Sequence, residues 1–190
     1  MRNAQIFLAN VIILTIRFTF LSIAQENDKF MDQNIVGALN DLIAREAQGV
    51  ANYSVAIQIF QSNNLNGYAI WLSKRKDKKD LRIQKIINYL ASREIPRIQS
   101  IPSNPTYGNP LEAFKSILSY DFNTTDKARW TINEAEHLND IEAADFVRSL
   151  VDEQVEEEAT ASELLEKTRK EYNHRHPNRF GLGLIDYLLK

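Results

Sequence analysis

Four long stretches of this chain carry apolar residues at spacings that alternate three and four, the repeat of one face of a helix. The first runs through Leu39, Ile43, Glu46, Val50, Tyr53, Ile57 and Phe60, and the second through Tyr68, Leu72, Arg75, Lys79, Arg82, Ile86 and Tyr89. The third follows Leu111, Phe114, Leu118, Asp121, Thr125, Ala128 and Ile132, and the fourth Val147, Leu150, Gln154, Glu157, Ala161 and Leu164. Each stripe is apolar at both ends and ionisable or amide-bearing in the middle. Charges are rarely left in a core unless they are paired or bind metal, because desolvating them is expensive. The middle of a four-helix assembly built from these stripes is therefore a site, or the remains of one.

The pattern predicts a first helix from about Asp32 to Phe60 and, after the polar connection 61–67, a second to about Glu94. Pro96, Pro102 and Pro105 then interrupt helical periodicity. Asn109, Pro110 and Glu112 supply an N-cap, a proline at the first helical position and an acid at the third, so a third helix opens there and runs to about Asn139. Asp140 caps a fourth helix to about Tyr172, and Phe180–Leu189 is a short fifth helix or an extended tail. Short turns make antiparallel hairpins of the first two and the last two long helices. The longer connection between them is enough to carry the chain the length of the bundle. The expected fold is all-α, a four-helix bundle with one long crossover.

Composition agrees with one such domain. The chain has 190 residues, 44% of them hydrophobic, with only six glycines and five prolines. A net charge of −2 gives no reason to expect a nucleic-acid partner, and the absence of cysteine excludes disulfides, thiolate metal ligands and a cysteine nucleophile. Residues 1–30 stand apart from the domain at 31–190. Arg2 and the apolar stretch Ile6 to Ile23 resemble a signal peptide cleaved after Ala24, which means export, but Arg17 interrupts that stretch. The other reading starts translation at Met31, which leaves the protein in the cytoplasm. No segment of the mature domain is expected to enter a membrane.

Glu46, Tyr53 seven residues later, and the run Glu153-Gln154-Val155-Glu156-Glu157-Glu158 on the fourth helix resemble the bacterial non-haem ferritins. Gly67, Tyr89-Leu90, Pro96-Arg97-Ile98 and Phe146 support the resemblance, which covers Met31 to Lys190. It implies a hollow cage of about twenty-four subunits that oxidises ferrous iron and stores a ferric mineral. Family members typically begin near the position of Met31, which favours the internal start.

The resemblance also implies a di-iron centre, and here the chain departs from the family. Glu46, Gln154 and Glu157 match ligand positions, and Asp121 is a shorter substitute for a glutamate. The bridging glutamate position is Lys79, and the histidine three residues on is Arg82. A third iron site keeps Glu153 and Glu156 but has Lys78 in place of its second-helix acid. The pattern is similar to the light subunits of animal ferritins, whose corresponding centre is emptied and carries a lysine. Two irons need roughly four carboxylates for charge balance. Glu46, Asp121 and Glu157 supply three negative charges, and Lys79 and Arg82 return two positive ones, so the centre comes close to neutralising itself.

Three outcomes stay open for Glu46, Asp121, Gln154 and Glu157: a buried ion-pair network, one hard metal ion on Asp121, Gln154 and Glu157, or a working ferroxidase. Glu153 and Glu156 are the weaker candidates, lying off the core stripe as cavity-facing or solvated acids. Tyr53 is expected beside the centre with its hydroxyl on a nearby acid. Lys74, Arg75, Lys76, Lys78, Lys79, Arg82 and Lys85 read as a solvated basic face that would favour phosphate over ferric mineral. His137, His174 and His176 are surface candidates. Met1 and Met31 both fall outside the four predicted long helices, so no haem is expected. The functional expectation is an iron-storage cage subunit with impaired ferroxidase chemistry, assembled with itself or with a catalytic ferritin subunit. An active ferroxidase and a structural or phosphate-binding cage are the alternatives.

Overall fold

The computed structural model describes residues 31–93, 105–172 and 179–190. The leader region, Pro96, Pro102, His174 and His176 lie outside these described residues. Five helices follow in order: α1 Gln33–Ser62, α2 Asn66–Ala91, α3 Pro110–His137, α4 Ile141–Glu171 and α5 Arg179–Leu188. Local chemistry sets their starts. The side chains of Asp32, Asn109 and Asp140 accept hydrogen bonds from the backbone N–H groups of Asn34, Glu112 and Ala143, and Pro110 opens α3. The turns after α1 and α3 use Asn64 (φ 61°) and Asn139 (φ 58°), the residue type that tolerates the left-handed region. Helix α3 therefore ends at His137, two residues before the expected boundary.

α1 packs against α2 and α3, and α3 against α4. The apolar ends of the four stripes form two separate clusters. One joins Ile35, Leu39 and Ile43 of α1 to Ile86 and Leu90 of α2, Ala128 and Ile132 of α3, and Val147 and Leu150 of α4. The other joins Tyr53, Ala56 and Phe60 to Tyr68, Leu72, Phe114, Ala161 and Leu164, with the Phe60 and Tyr68 rings stacked 5.0 Å apart. The clusters place the end of α2 and the start of α3 at opposite ends of the bundle. The link between them is thus a crossover, while α1–α2 and α3–α4 are hairpins. The predicted topology is the observed one.

The C-terminal segment is a helix, and it docks on the α1–α2 end of the bundle. Leu65, at the N-cap of α2, makes no side-chain cap, and Asp186 of α5 supplies one from a distance by accepting the Tyr68 N–H at 3.0 Å. This approach needs Gly67, where a Cβ would stand 1.7 Å from the Asp186 carbonyl oxygen. Among the described residues no helix is long and apolar enough to cross a membrane.

Candidate metal centre

Between the two apolar clusters the stripes bring their polar members together. Glu46, Arg75, Lys79, Arg82, Asp121, Gln154 and Glu157 are all buried, with Lys79 and Arg82 only 2% exposed. Glu46 comes from α1 and Asp121 from α3, while Arg75, Lys79 and Arg82 follow at successive turns of α2 and Gln154 and Glu157 lie one turn apart on α4, as the spacing predicts.

Lys79 Nζ sits between two acids, 2.8 Å from Asp121 Oδ1 and 3.1 Å from Glu46 Oε2. Arg82 spans two more carboxylate contacts. Its Nε donates to Glu46 Oε1 at 3.3 Å, and its Nη1 lies 3.2 and 3.3 Å from the two Glu157 oxygens. Gln154 Nε2 donates to Glu46 Oε1 at 2.9 Å. Tyr53 donates its hydroxyl to Asp121 Oδ2 at 2.7 Å, as expected of that residue. The lining of the site explains how a lysine fits: α1 presents Gly49, and a Cβ there would stand 3.0 to 3.2 Å from the last three atoms of the Lys79 side chain.

Arg75 completes the charge balance, a role that the sequence left unassigned. Its Nε donates to Tyr53 Oη at 3.2 Å and its Nη1 to the Glu157 carbonyl at 2.9 Å. Three buried acids thus face three buried cations. The expected solvated basic face is only partly that: Lys74, Lys78 and Lys85 are exposed, whereas Arg75, Lys79 and Arg82 turn into the bundle. The helical period separates the two groups. Glu153 and Glu156 are exposed, and Glu153 pairs with Lys85. His137 lies at the end of α3.

The electrostatics follow from these contacts. Burial alone would push the Lys79 ammonium toward neutrality, but Glu46 and Asp121 outweigh it and raise its pKa above the ordinary lysine value. Burial likewise opposes charge on Arg82 and Glu157. The acids around Arg82 nevertheless hold its pKa high, and Arg82 and Arg75 hold the Glu157 carboxyl below the ordinary glutamate value. Burial also raises the Tyr53 phenol, and Asp121 adds to that shift.

A fourth buried carboxylate, not singled out by the sequence, lies nearby. Glu158 accepts a hydrogen bond from Thr125 of α3, and its pKa is raised, chiefly by burial. The adjacent acids Glu156, Glu157 and Glu158 gave no local sign of which would turn toward α3.

This donor set does not fit a pair of metal ions. Two of the positions facing the acids are an ammonium and a guanidinium, neither of which ligates while charged, and the surviving carboxylates already carry charge-assisted partners. Among the described residues no group of three or more His, Cys, Asp or Glu side chains is gathered to hold a metal ion.

Residues 36–171 match the ferritin-like domain family. The chain is similar to a bacterial non-heme ferritin of Bacteroides fragilis, 25% identical over 142 residues that cover 74% of this chain and 89% of that protein. Among solved structures, an open pore ferritin from the hyperthermophilic archaeon Archaeoglobus fulgidus superposes with a TM-score of 0.77 at 24% identity, covering 84% of this chain and 97% of that one. A humanized archaeal ferritin superposes with a TM-score of 0.78 at 25% identity, covering 84% and 95%.

Proposed function

This chain belongs to the ferritin family, and from that premise we propose that it is an iron-storage cage subunit whose intrasubunit centre is occupied by its own cations and does not oxidise iron. The observation that carries this reading is the position of Lys79 Nζ, within 3.1 Å of both Glu46 and Asp121. A ferrous ion entering there has to expel an ammonium from a buried, doubly paired seat. It then meets Arg82, with both Glu46 and Glu157 already engaged. Removing one member of such a buried network leaves an uncompensated charge, so exchange with solvent cations is opposed at every step.

Iron is substrate and cargo in this reading. The subunit contributes packing and cage wall, and ferric ion reaches the cage from a catalytic ferritin subunit or from oxidation in solution. The two apolar clusters support folding of the subunit without metal, since they hold the bundle on either side of the polar layer. Aerobic addition of ferrous iron to the purified protein tests the proposal. Oxidation at the protein-free rate is expected, and a rapid burst stoichiometric with subunits would instead make this an active ferroxidase.

A further inference from the structure

We propose that the cleft between α2 and α4 is a binding site for a tetrahedral oxyanion, taken as inorganic phosphate or as the phosphate group of a nucleotide. Its volume is about 560 Å³. Trp71, Lys74, Arg75 and Lys78 line its α2 side at successive spacings of three, one and three, which is a single helical face.

Cations exceed acids by one in this cleft, where Lys74, Arg75, Lys78 and Lys85 face Glu153, Glu156 and Glu157. Glu157, on the α4 side, is the shared acid of three cations: Lys78 Nζ lies 3.1 Å from one of its oxygens, Arg82 Nη1 is 3.2 Å from the same oxygen, and Arg75 Nη2 is 4.0 Å from the other. Arg82 is shared with Glu46, which leaves Glu157 as the one partnered acid of both Arg75 and Lys78. Lys74, exposed on the same lining, makes no ion pair among the described residues.

Arg75 is what distinguishes this cleft from an ordinary surface patch of lysines. It is 7% exposed, so its guanidinium is held rather than mobile. Nε and Nη1 are committed to Tyr53 and to the Glu157 carbonyl, while Nη2 stands beyond hydrogen-bond reach of Glu157. An oxyanion in the cleft takes that remaining N–H edge, with the two lysines closing on it. Fixed guanidinium geometry with flanking ammonium groups suits phosphate, through charge-assisted bonds to several oxygens. The opposing charges in the cleft are Glu157, held by its cations, Glu156, and Glu153, which already pairs with Lys85. This site does not depend on iron chemistry, so its failure would leave the proposed function standing.

The test is isothermal titration of the purified full-length protein with inorganic phosphate and, separately, with a nucleoside monophosphate, at constant ionic strength. Saturable binding of one phosphate per subunit is expected, weakened at least tenfold by Lys74→Gln with Lys78→Gln and unchanged by Lys115→Gln on α3. Both lysines replaced in the cleft are exposed, and circular dichroism confirms that the variant is folded. Much tighter binding of the nucleotide identifies the nucleoside as part of the ligand, whereas equal affinity identifies free phosphate. Absence of saturable binding to the unmodified protein, or equal weakening by Lys115→Gln, overturns the proposal.

Discussion

Gly49 on α1 lies directly against the stem of Lys79 on α2, and a Cβ at Gly49 would stand 3.0 Å from Lys79 Cδ. The glycine is costly in a helix interior, by about 1 kcal/mol against alanine. In this place it makes room for a cation that two acids pin from the other side. Gly49→Ala is therefore expected to destabilise the protein, because overpacking a held side chain typically costs about 1–3 kcal/mol and exceeds the helical gain. In a Lys79→Ala background the sign reverses and the same substitution stabilises. Urea denaturation of the four proteins in a double-mutant cycle reads the coupling, and additive effects would show that the two residues are independent.

Lys79→Ala alone leaves Glu46 and Asp121 without their shared cation, and a loss on the order of 3 kcal/mol is expected, comparable with breaking other buried pairs. A divalent cation that binds only the folded site then restores part of the stability. Thermal melts with and without manganese or cobalt check this. A neutral, metal-insensitive variant would show that Lys79 contributes nothing to the centre.

The two buried glutamates on α4 predict opposite pH dependences. The Glu157 carboxyl is pushed up by burial but held lower by Arg82 and Arg75, with a net folded pKa below its unfolded value. Its contribution is present above the ordinary glutamate range and is lost as pH falls through the folded value. Glu158 is raised, so it opposes folding once pH exceeds the unfolded value and the group must ionise in place. Glu158→Gln keeps an acceptor for Thr125 and is expected to raise the melting temperature at neutral pH, with the gain fading below about pH 4.5. A gain independent of pH would assign the effect to packing.

At the other end of the molecule, Gly67→Ala is expected to release α5, because a backbone carbonyl cannot yield as a flexible side chain can. Faster hydrogen exchange in residues 179–188 and at Tyr68 N–H would report it. Asp186→Ala removes the cap and a pairing with the exposed Lys190, and costs about 1 kcal/mol, most of it from the cap. Unchanged exchange in Gly67→Ala would mean that α5 docks without this contact.

The sequence made most of this centre legible because helical periodicity is insensitive to what a side chain does. Spacings of three and four placed Glu46, Lys79, Arg82, Asp121, Gln154 and Glu157 in one layer whether they bind metal or one another, and capping residues located the starts of α1, α3 and α4. Arg75 sat in the same stripe, but a long guanidinium stem reaches either solvent or core from that position, and only the tertiary contacts to Tyr53 and Glu157 decide it. Gly49 and Gly67 are legible only in space, since each answers to a partner on another helix. The nearest sequence signal was a small residue three positions after Glu46, on the side of α1 facing the lysine.

Restoring ligands at Lys79 and Arg82 is expected to recover iron oxidation only in part. Lys79→Glu with Arg82→His returns a bridge and an imidazole, but Asp121 stays short and both Arg75 and Lys78 remain beside Glu157. Stopped-flow oxidation of the double variant should fall between the unmodified protein and an active ferritin. A rate equal to that of the unmodified protein would place the defect elsewhere.

The most direct measurement is anomalous diffraction from crystals of the unmodified protein soaked anaerobically in ferrous iron. The account predicts no iron peak between Glu46, Asp121 and Glu157, with density for the Lys79 ammonium continuous between Glu46 and Asp121. Two iron peaks about 3.5–4 Å apart at that position, with Lys79 and Arg82 turned out of the layer, would contradict it.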